Sequence, residues 1–174
     1  EEKIPACINS LKAIYPRFGF NPFVAEIARK SLEFHGTSQK SSWPYPNRAS
    51  ALSAQEYCLR KNSDCFSKIE NFLGVSCLIA DQRSTSSAKA FWQHTGLGLS
   101  SREAAIALGR EKRPSSSDGH CAQNELLNRL AKIYNCDRSL IRLHRSGMAA
   151  LTTILSAIKC IKGNSSTLQI GFPY

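Results

Sequence analysis

The clearest chemical signal in the chain is Ser146-Gly147-Met148, at the head of a long apolar stretch. Residues 148–161 are almost wholly apolar for about four turns, which predicts a buried helix. A helix starting here leaves its first backbone N–H groups without intrahelical acceptors. Those groups lie at the positive end of the helix dipole and hold a phosphate well. Ser146 can cap the helix or donate its hydroxyl to the same anion. Gly147 lets the backbone approach closely. On spacing alone a capped buried helix with no ligand is the better reading, because serine-glycine before a helix is common.

The elements around this turn follow from the same patterns. Residues 139–145 read as a short strand leading into it, with Leu140 and the β-branched Ile141 in an extended run. Residues 163–166 break the helical pattern, and residues 167–172 alternate apolar and polar positions like a second strand. The unit is then strand–turn–helix–strand, whose open sheet edges need neighbours. Upstream, Asn21-Pro22 is a helix start with asparagine as cap and proline in first position. The following stretch, 23–34, places Phe23, Ile27 and Ala28 on one face. Residues 36–47 are serine- and proline-rich and read as a loop; 49–61 read as helix, 65–73 are ambiguous and 75–80 read as a strand. Residues 84–87 read as a loop. Ser100 with Glu103 fits a capping box for a helix ending near Gly109. Residues 109–119 are charged, serine-rich and contain Pro114, which reads as a surface loop. Residues 122–134 read as a helix with Leu126, Leu127, Leu130, Ala131 and Tyr134 on one side.

Residues 125–134 (Glu-Leu-Leu-Asn-Arg-Leu-Ala-Lys-Ile-Tyr), the Ser146-Gly-Met-Ala-Ala turn and the aromatic-ended strand resemble the pyridoxal-phosphate enzymes of cysteine and methionine metabolism. Three more segments narrow the resemblance to the branch typified by fungal cystathionine γ-synthases. They are residues 91–102 (Phe-Trp-Gln-His-Thr-Gly-Leu-Gly-Leu-Ser-Ser-Arg), 171–174 (Gly-Phe-Pro-Tyr) and 15–18 (Tyr-Pro-Arg-Phe). The glutamine-histidine-threonine-glycine and glycine-phenylalanine-proline-tyrosine segments are the more specific; the serine-glycine-methionine turn is shared by the wider superfamily. The resemblance implies an α/β chain in three parts. These are an N-terminal helical segment (1–83), a cofactor and interface loop region (84–121), and the first part of a fold-type-I, aspartate-aminotransferase-like large domain (122–174). It implies the N-terminal portion of a longer, cytoplasmic enzyme that is a homodimer or homotetramer. That enzyme would join cysteine to an activated homoserine by γ-replacement. A sister lyase of the same metabolism is the alternative within the family. A non-catalytic binding or assembly module that retains the first half of the fold is the alternative of another class.

Pyridoxal phosphate needs a lysine for the Schiff base, an acid at the pyridine nitrogen and an anion site for the phosphate. The resemblance implies that Ser146, Gly147 and Met148 hold the phosphate and that Tyr174 stacks on the ring. By its own residues Tyr174 reads better as a strand-end core aromatic. Arg102 sits where the family has a tyrosine-x-arginine loop that reaches the phosphate of a neighbouring subunit, with Ser100 at the tyrosine position. Tyr15 and Arg17 repeat that spacing and read either as a substrate-binding pair or as a turn. The Schiff-base lysine and the acid are expected beyond Tyr174. Lys159 and Lys162 stand roughly 20 Å from the phosphate-binding start of their helix, at the end where the dipole welcomes a cation.

The formal net charge is +10, and the basic residues are spread along the chain without a dense run. A solvated surface is the better reading, and nucleic acid is not expected as a partner. Seven cysteines make an odd count with no cysteine-x-x-cysteine spacing, so reduced thiols are the default. Cys160, in the apolar helix, reads as a small hydrophobe. The spacings of His94, His120 and His144 match no zinc pattern, and no metal is expected. The second glycine of the nucleophile elbow is absent, which argues against Ser146 as a hydrolase nucleophile. No signal peptide is present, and no apolar run is long enough for a bilayer.

Overall fold

A computed structural model describes residues 19–163 together with Ser166 and Leu168. Its organising element is β3 (Val75–Ala80), every residue of which is buried. Such a run, apolar on both faces, belongs in the middle of a covered sheet. β1 (Ser41–Tyr45) and β2 (Ser67–Phe72) pair with it antiparallel on either side, in the order β1-β3-β2. Alternate β3 residues feed two cores. Val75, Cys77 and Ile79 face Val24, Ile27, Leu99 and Ala104 from α1 (Pro22–Phe34), α4 (Ser101–Ala107) and the loop before α4. Leu78 and Ala80 face Ala51, Ala54 and Cys58 of α2 (Arg48–Lys61) and Ala88, Phe91 and Trp92 of α3 (Gln82–Thr95). Each fully buried Leu or Ile contributes about 1.5–3 kcal/mol by leaving water. Beyond this three-layer body lie α5 (Ser116–Tyr134), a 3₁₀ turn (Arg138–Leu140) and α6 (Gly147–Lys162).

Several expectations are met. Asn21 caps α1, its side chain accepting from the Phe23 N–H at 3.0 Å, with Pro22 in the first position. Ser100 and Glu103 form the expected capping box. The helices read over 49–61 and 122–134 and the strand read over 75–80 are present, but Ser115 caps α5 and starts it at Ser116, so the last four residues of the 109–119 segment read as a loop are helical.

Others are corrected. The 36–47 segment contains β1, because Ser42 and Pro44 suit their places in it. Ser42 Oγ lies 2.7 Å from Ser31 Oγ of α1, a buried hydroxyl pair, and Pro44 sits in an edge strand that tolerates a missing N–H. Residues 84–87 are not a loop but lie in the first half of α3. Asp81 caps that helix, and the Thr85 hydroxyl donates to the Asp81 carbonyl at 2.8 Å. Serine and threonine serve a helix well in its first turn, where hydroxyls satisfy groups the helix leaves free. Residues 139–145 form no strand. Asp137 caps the 3₁₀ turn instead, and Ile141 keeps extended dihedrals (φ −94°, ψ 133°) without a pairing neighbour among the described residues. The strand read over 167–172 lies almost wholly outside the described residues.

α6 forms over the expected span but is not buried: only Ala149 is. Ala149, Thr152 and Ser156 share one side of the helix by their spacing, and the Thr152 hydroxyl bonds the carbonyl of Thr95 in α3. Leu151, Ile154, Leu155, Ile158 and Ile161 are exposed on the opposite side. The small and hydroxyl-bearing side of the helix is the one seated on α3, and its large apolar side chains point away. Cys160 is accordingly exposed, whereas Cys58 and Cys77 are buried. Burial pushes the Cys58 thiol up to about 11 and the Cys77 thiol above its ordinary value, so both remain protonated packing groups at neutral pH.

The Asp81 cap makes the fold acid-sensitive in a defined window. The Ser84 hydroxyl donates to its carboxylate at 2.7 Å and, with the N–H groups of Phe66 and Ser84, holds its pKa at about 2, below the ordinary 3.8. A depressed carboxyl stabilises the fold fully above its unfolded pKa and loses that contribution as pH falls through the folded one. Asp81→Asn should therefore be less stable than wild type at neutral pH, with the gap closing between about pH 4 and about pH 2. Urea midpoints of both proteins across that range test this; a gap constant with pH contradicts it.

Candidate functional site

The two sequence segments that carry most of the chemical signal, residues 93–98 and 146–149, are in direct contact. Gly96 ends α3 in the left-handed conformation, φ +65°. It lies so close to α6 that a Cβ there would stand 2.6 Å from Ser146 Oγ, 2.8 Å from the Ala149 nitrogen and 2.9 Å from Met148 Cβ. Only glycine meets both demands, the backbone angle and the missing volume. The Thr152–Thr95 hydrogen bond, 3.1 Å, closes the same contact one turn further along α6.

The loop after Gly96 is then fixed residue by residue. The Gly98 carbonyl accepts from Arg145 at 3.3 Å. The Leu99 N–H donates to the Pro44 carbonyl at 3.0 Å, rooting the loop on the edge of β1. Ser100 caps α4. Its N–H and hydroxyl donate to Glu103 Oε2 at 3.0 and 2.8 Å, and its Oγ accepts from the Glu103 N–H at 3.2 Å. The other carboxylate oxygen of Glu103 takes Arg145 Nη2 at 2.6 Å. The starts of α4 and α6 are therefore tied side by side.

Ser146 caps α6, its Oγ accepting from the Ala149 N–H at 3.1 Å while its carbonyl accepts from the Ala150 N–H at 3.0 Å. The N–H groups of Gly147 and Met148 have no intrahelical acceptor. Gly147 is exposed, and a Cβ on it would meet nothing within 4 Å. The turn thus offers two amides, a hydroxyl with a proton still to donate, the positive helix end and open space before them. That donor set fits a phosphate group. The remaining requirements of pyridoxal phosphate are not met by described residues at this turn: Lys159 and Lys162 stand at the opposite end of α6.

Arg102, in the second position of α4, is exposed and has no hydrogen bond or ion pair among the described residues. Its neighbour Glu103 binds the residue preceding Ser146. Tyr15, Arg17 and Tyr174 lie outside the described residues. His94, His120 and His144 are exposed, and no group of three or more metal-ligating side chains occurs among the described residues. Sequence reasoning missed Gly96 and Arg145. A glycine after an amphipathic run ending in histidine and threonine is a helix-stop signal that was available for Gly96. Arg145 carries no local signal, because its partners are more than forty residues away.

A three-stranded antiparallel sheet covered by helices on both faces defines the class: a small α/β body with the capped start of α6 docked beside it. Comparison with known families matches part of the chain. Residues 23–100 match the family model described as "Fungal trans-sulfuration enzyme, N-terminal domain". The matched span runs from the first residues of α1 through the sheet and α3 to the Ser100 cap, and it supports the N-terminal part of a Cys/Met-metabolism enzyme. No curated protein and no solved structure matches the chain. No helix among the described residues is long and apolar enough to cross a membrane.

Gly96→Ala should destabilise the protein by about 2–4 kcal/mol, combining a strained positive φ with overpacking against α6. Gly109 also has a positive φ, +71°, but open space around it, so Gly109→Ala should cost only about 1–2 kcal/mol of strain. Chemical denaturation of both variants tests the contact; equal losses would show that α6 does not press on Gly96.

Proposed function

We propose that this chain is the N-terminal portion of a pyridoxal-phosphate-dependent trans-sulfuration enzyme of the fold-type-I class. Its reaction resembles that of cystathionine γ-synthase: cysteine replaces the γ-substituent of an activated homoserine. The observation that carries the reading is the docking of residues 93–98 on the Ser146-Gly147-Met148 turn, which joins the matched N-terminal segment to a phosphate-fitting site. Pyridoxal phosphate, when bound, supplies the electron sink that makes such a substitution feasible.

The chain's own residues would anchor and orient that group. The Gly147 and Met148 amides donate to the phosphate, the Ser146 hydroxyl adds a third donor, and the α6 dipole favours the negative charge. Arg102 reaches the phosphate of a neighbouring copy in a homodimer or homotetramer. Tyr174 stacks on the cofactor ring, and Tyr15 and Arg17 contact the amino-acid substrate. The lysine that moves protons, and the acid that pairs with the pyridine nitrogen, lie after Tyr174. A sister lyase would share all of these anchoring contacts, so product analysis separates the two activities.

The activity is tested in the full-length protein with cysteine and an acyl- or phospho-homoserine. Cofactor-dependent release of cystathionine is expected; cleavage of cystathionine or methionine without γ-replacement would assign a sister lyase, and no cofactor-dependent product would overturn the reading. In the same protein, Ser146→Ala should weaken cofactor binding by about 1 kcal/mol or more, the scale of a charge-assisted hydrogen bond. An unchanged dissociation constant would reduce Ser146 to a helix cap. Arg102→Ala should lower the extent to which pyridoxal phosphate strengthens subunit association, because a ligand held by two chains stabilises their contact. Equal strengthening in wild type and variant would remove Arg102 from the site.

A further inference from the structure

We infer that Arg145 is a positioning residue for the phosphate turn, acting through Glu103 and the Gly98 carbonyl. The inference rests on the phosphate-binding reading above. Arg145 immediately precedes the α6 cap, and its guanidinium spans two separate partners on the 96–103 loop: the Gly98 carbonyl at 3.3 Å and Glu103 Oε1 at 2.6 Å. Glu103 is itself committed, since its second oxygen holds the Ser100 N–H and hydroxyl. The guanidinium thereby couples the cap of α4 to the cap of α6. Arg102 is the next residue to Glu103, so the clamp also fixes where Arg102 starts from. A planar fork of donors can bridge a carbonyl and a carboxylate together; an ammonium cannot do so with the same geometry.

The pair is half-exposed, with both side chains about one-third accessible, so its direct worth to folding is small. Its effect belongs instead to the geometry of the amides that face the phosphate, where a small displacement costs affinity. That separation makes the role testable. Glu103→Gln is the sharpest variant, because glutamine in this position keeps the capping box while losing the charge that holds Arg145.

The full-length protein is titrated with pyridoxal 5′-phosphate and, separately, with pyridoxal, which lacks the phosphate. Wild type should discriminate strongly between them. Arg145→Ala and Glu103→Gln should each weaken the phosphate ester by about tenfold, one good hydrogen bond's worth of misplacement. Pyridoxal should change less than about twofold. Arg145→Lys should fall between wild type and Arg145→Ala. The melting temperature of the cofactor-free protein is recorded for each, and if Arg145→Ala does not fold, Glu103→Gln decides the matter. Equal loss for both ligands, or no loss for either, overturns the positioning role while leaving the phosphate reading intact. Tighter binding in Glu103→Gln also overturns it, because a released Arg145 would then be touching the phosphate itself. Absence of discrimination in wild type overturns the phosphate reading and the inference with it.

Discussion

The contact between Gly96 and the first turn of α6 is the constraint on which the site depends. Besides Ser146 Oγ, a side chain on Gly96 would meet two atoms that the α6 backbone fixes in place, the Ala149 nitrogen at 2.8 Å and Met148 Cβ at 2.9 Å. Such a junction cannot be adjusted by rotating a side chain. The end of α3 and the start of α6 are therefore held at one distance, and every polar tie nearby inherits that spacing. Thr152 reaches Thr95, and Arg145 reaches Gly98 and Glu103.

Rigidity on the α3 side comes from the sheet. α3 packs on the same face of β3 as α2, through Ala88, Phe91 and Trp92. Phe20 meets Trp92 edge-on at 4.6 Å and Trp43 at 5.3 Å, which seals the end of that core. The Asp81 cap and the buried Ser84 hydroxyl, bonded to the Phe66 carbonyl at 3.0 Å, fix the other end of α3 to the start of β2. A body built this way can present a helix terminus with little loss on ligand binding, because the ordering cost was met on folding. α6 contrasts with it: one side is seated and the other is apolar and exposed.

Much of this was legible in the residues, and the exceptions have physical causes. Caps were readable because they depend on one or two neighbours: Asn21-Pro22 and Ser100 with Glu103 behave as their local chemistry dictates. β3 was readable because Val75, Cys77, Leu78, Ile79 and Ala80 make a short apolar run that suits a covered strand. β1 was not, since serines and a proline become strand residues only when an edge position and the Ser31 hydroxyl are supplied by distant chain. The hydroxyl residues of α3 misled for a different, local reason: Ser84 and Thr85 bond the carboxylate and carbonyl of Asp81 just upstream, so a loop-like composition starts a helix. The run at 139–145 has strand-like composition without a partner strand, and composition cannot provide one. At the site itself, the turn at Ser146 was visible as a local motif. Its contact with Gly96 and its tie through Arg145 were not, because both are relations between segments about fifty residues apart.

The central claim is that the Gly147 and Met148 amides receive a phosphate. A crystal structure of the full-length protein with pyridoxal 5′-phosphate tests it most directly. The account predicts phosphate oxygens within about 3 Å of both amide nitrogens and of Ser146 Oγ, with Gly96 still seated against the turn. A phosphate bound by other residues, with those two amides facing solvent, would contradict it.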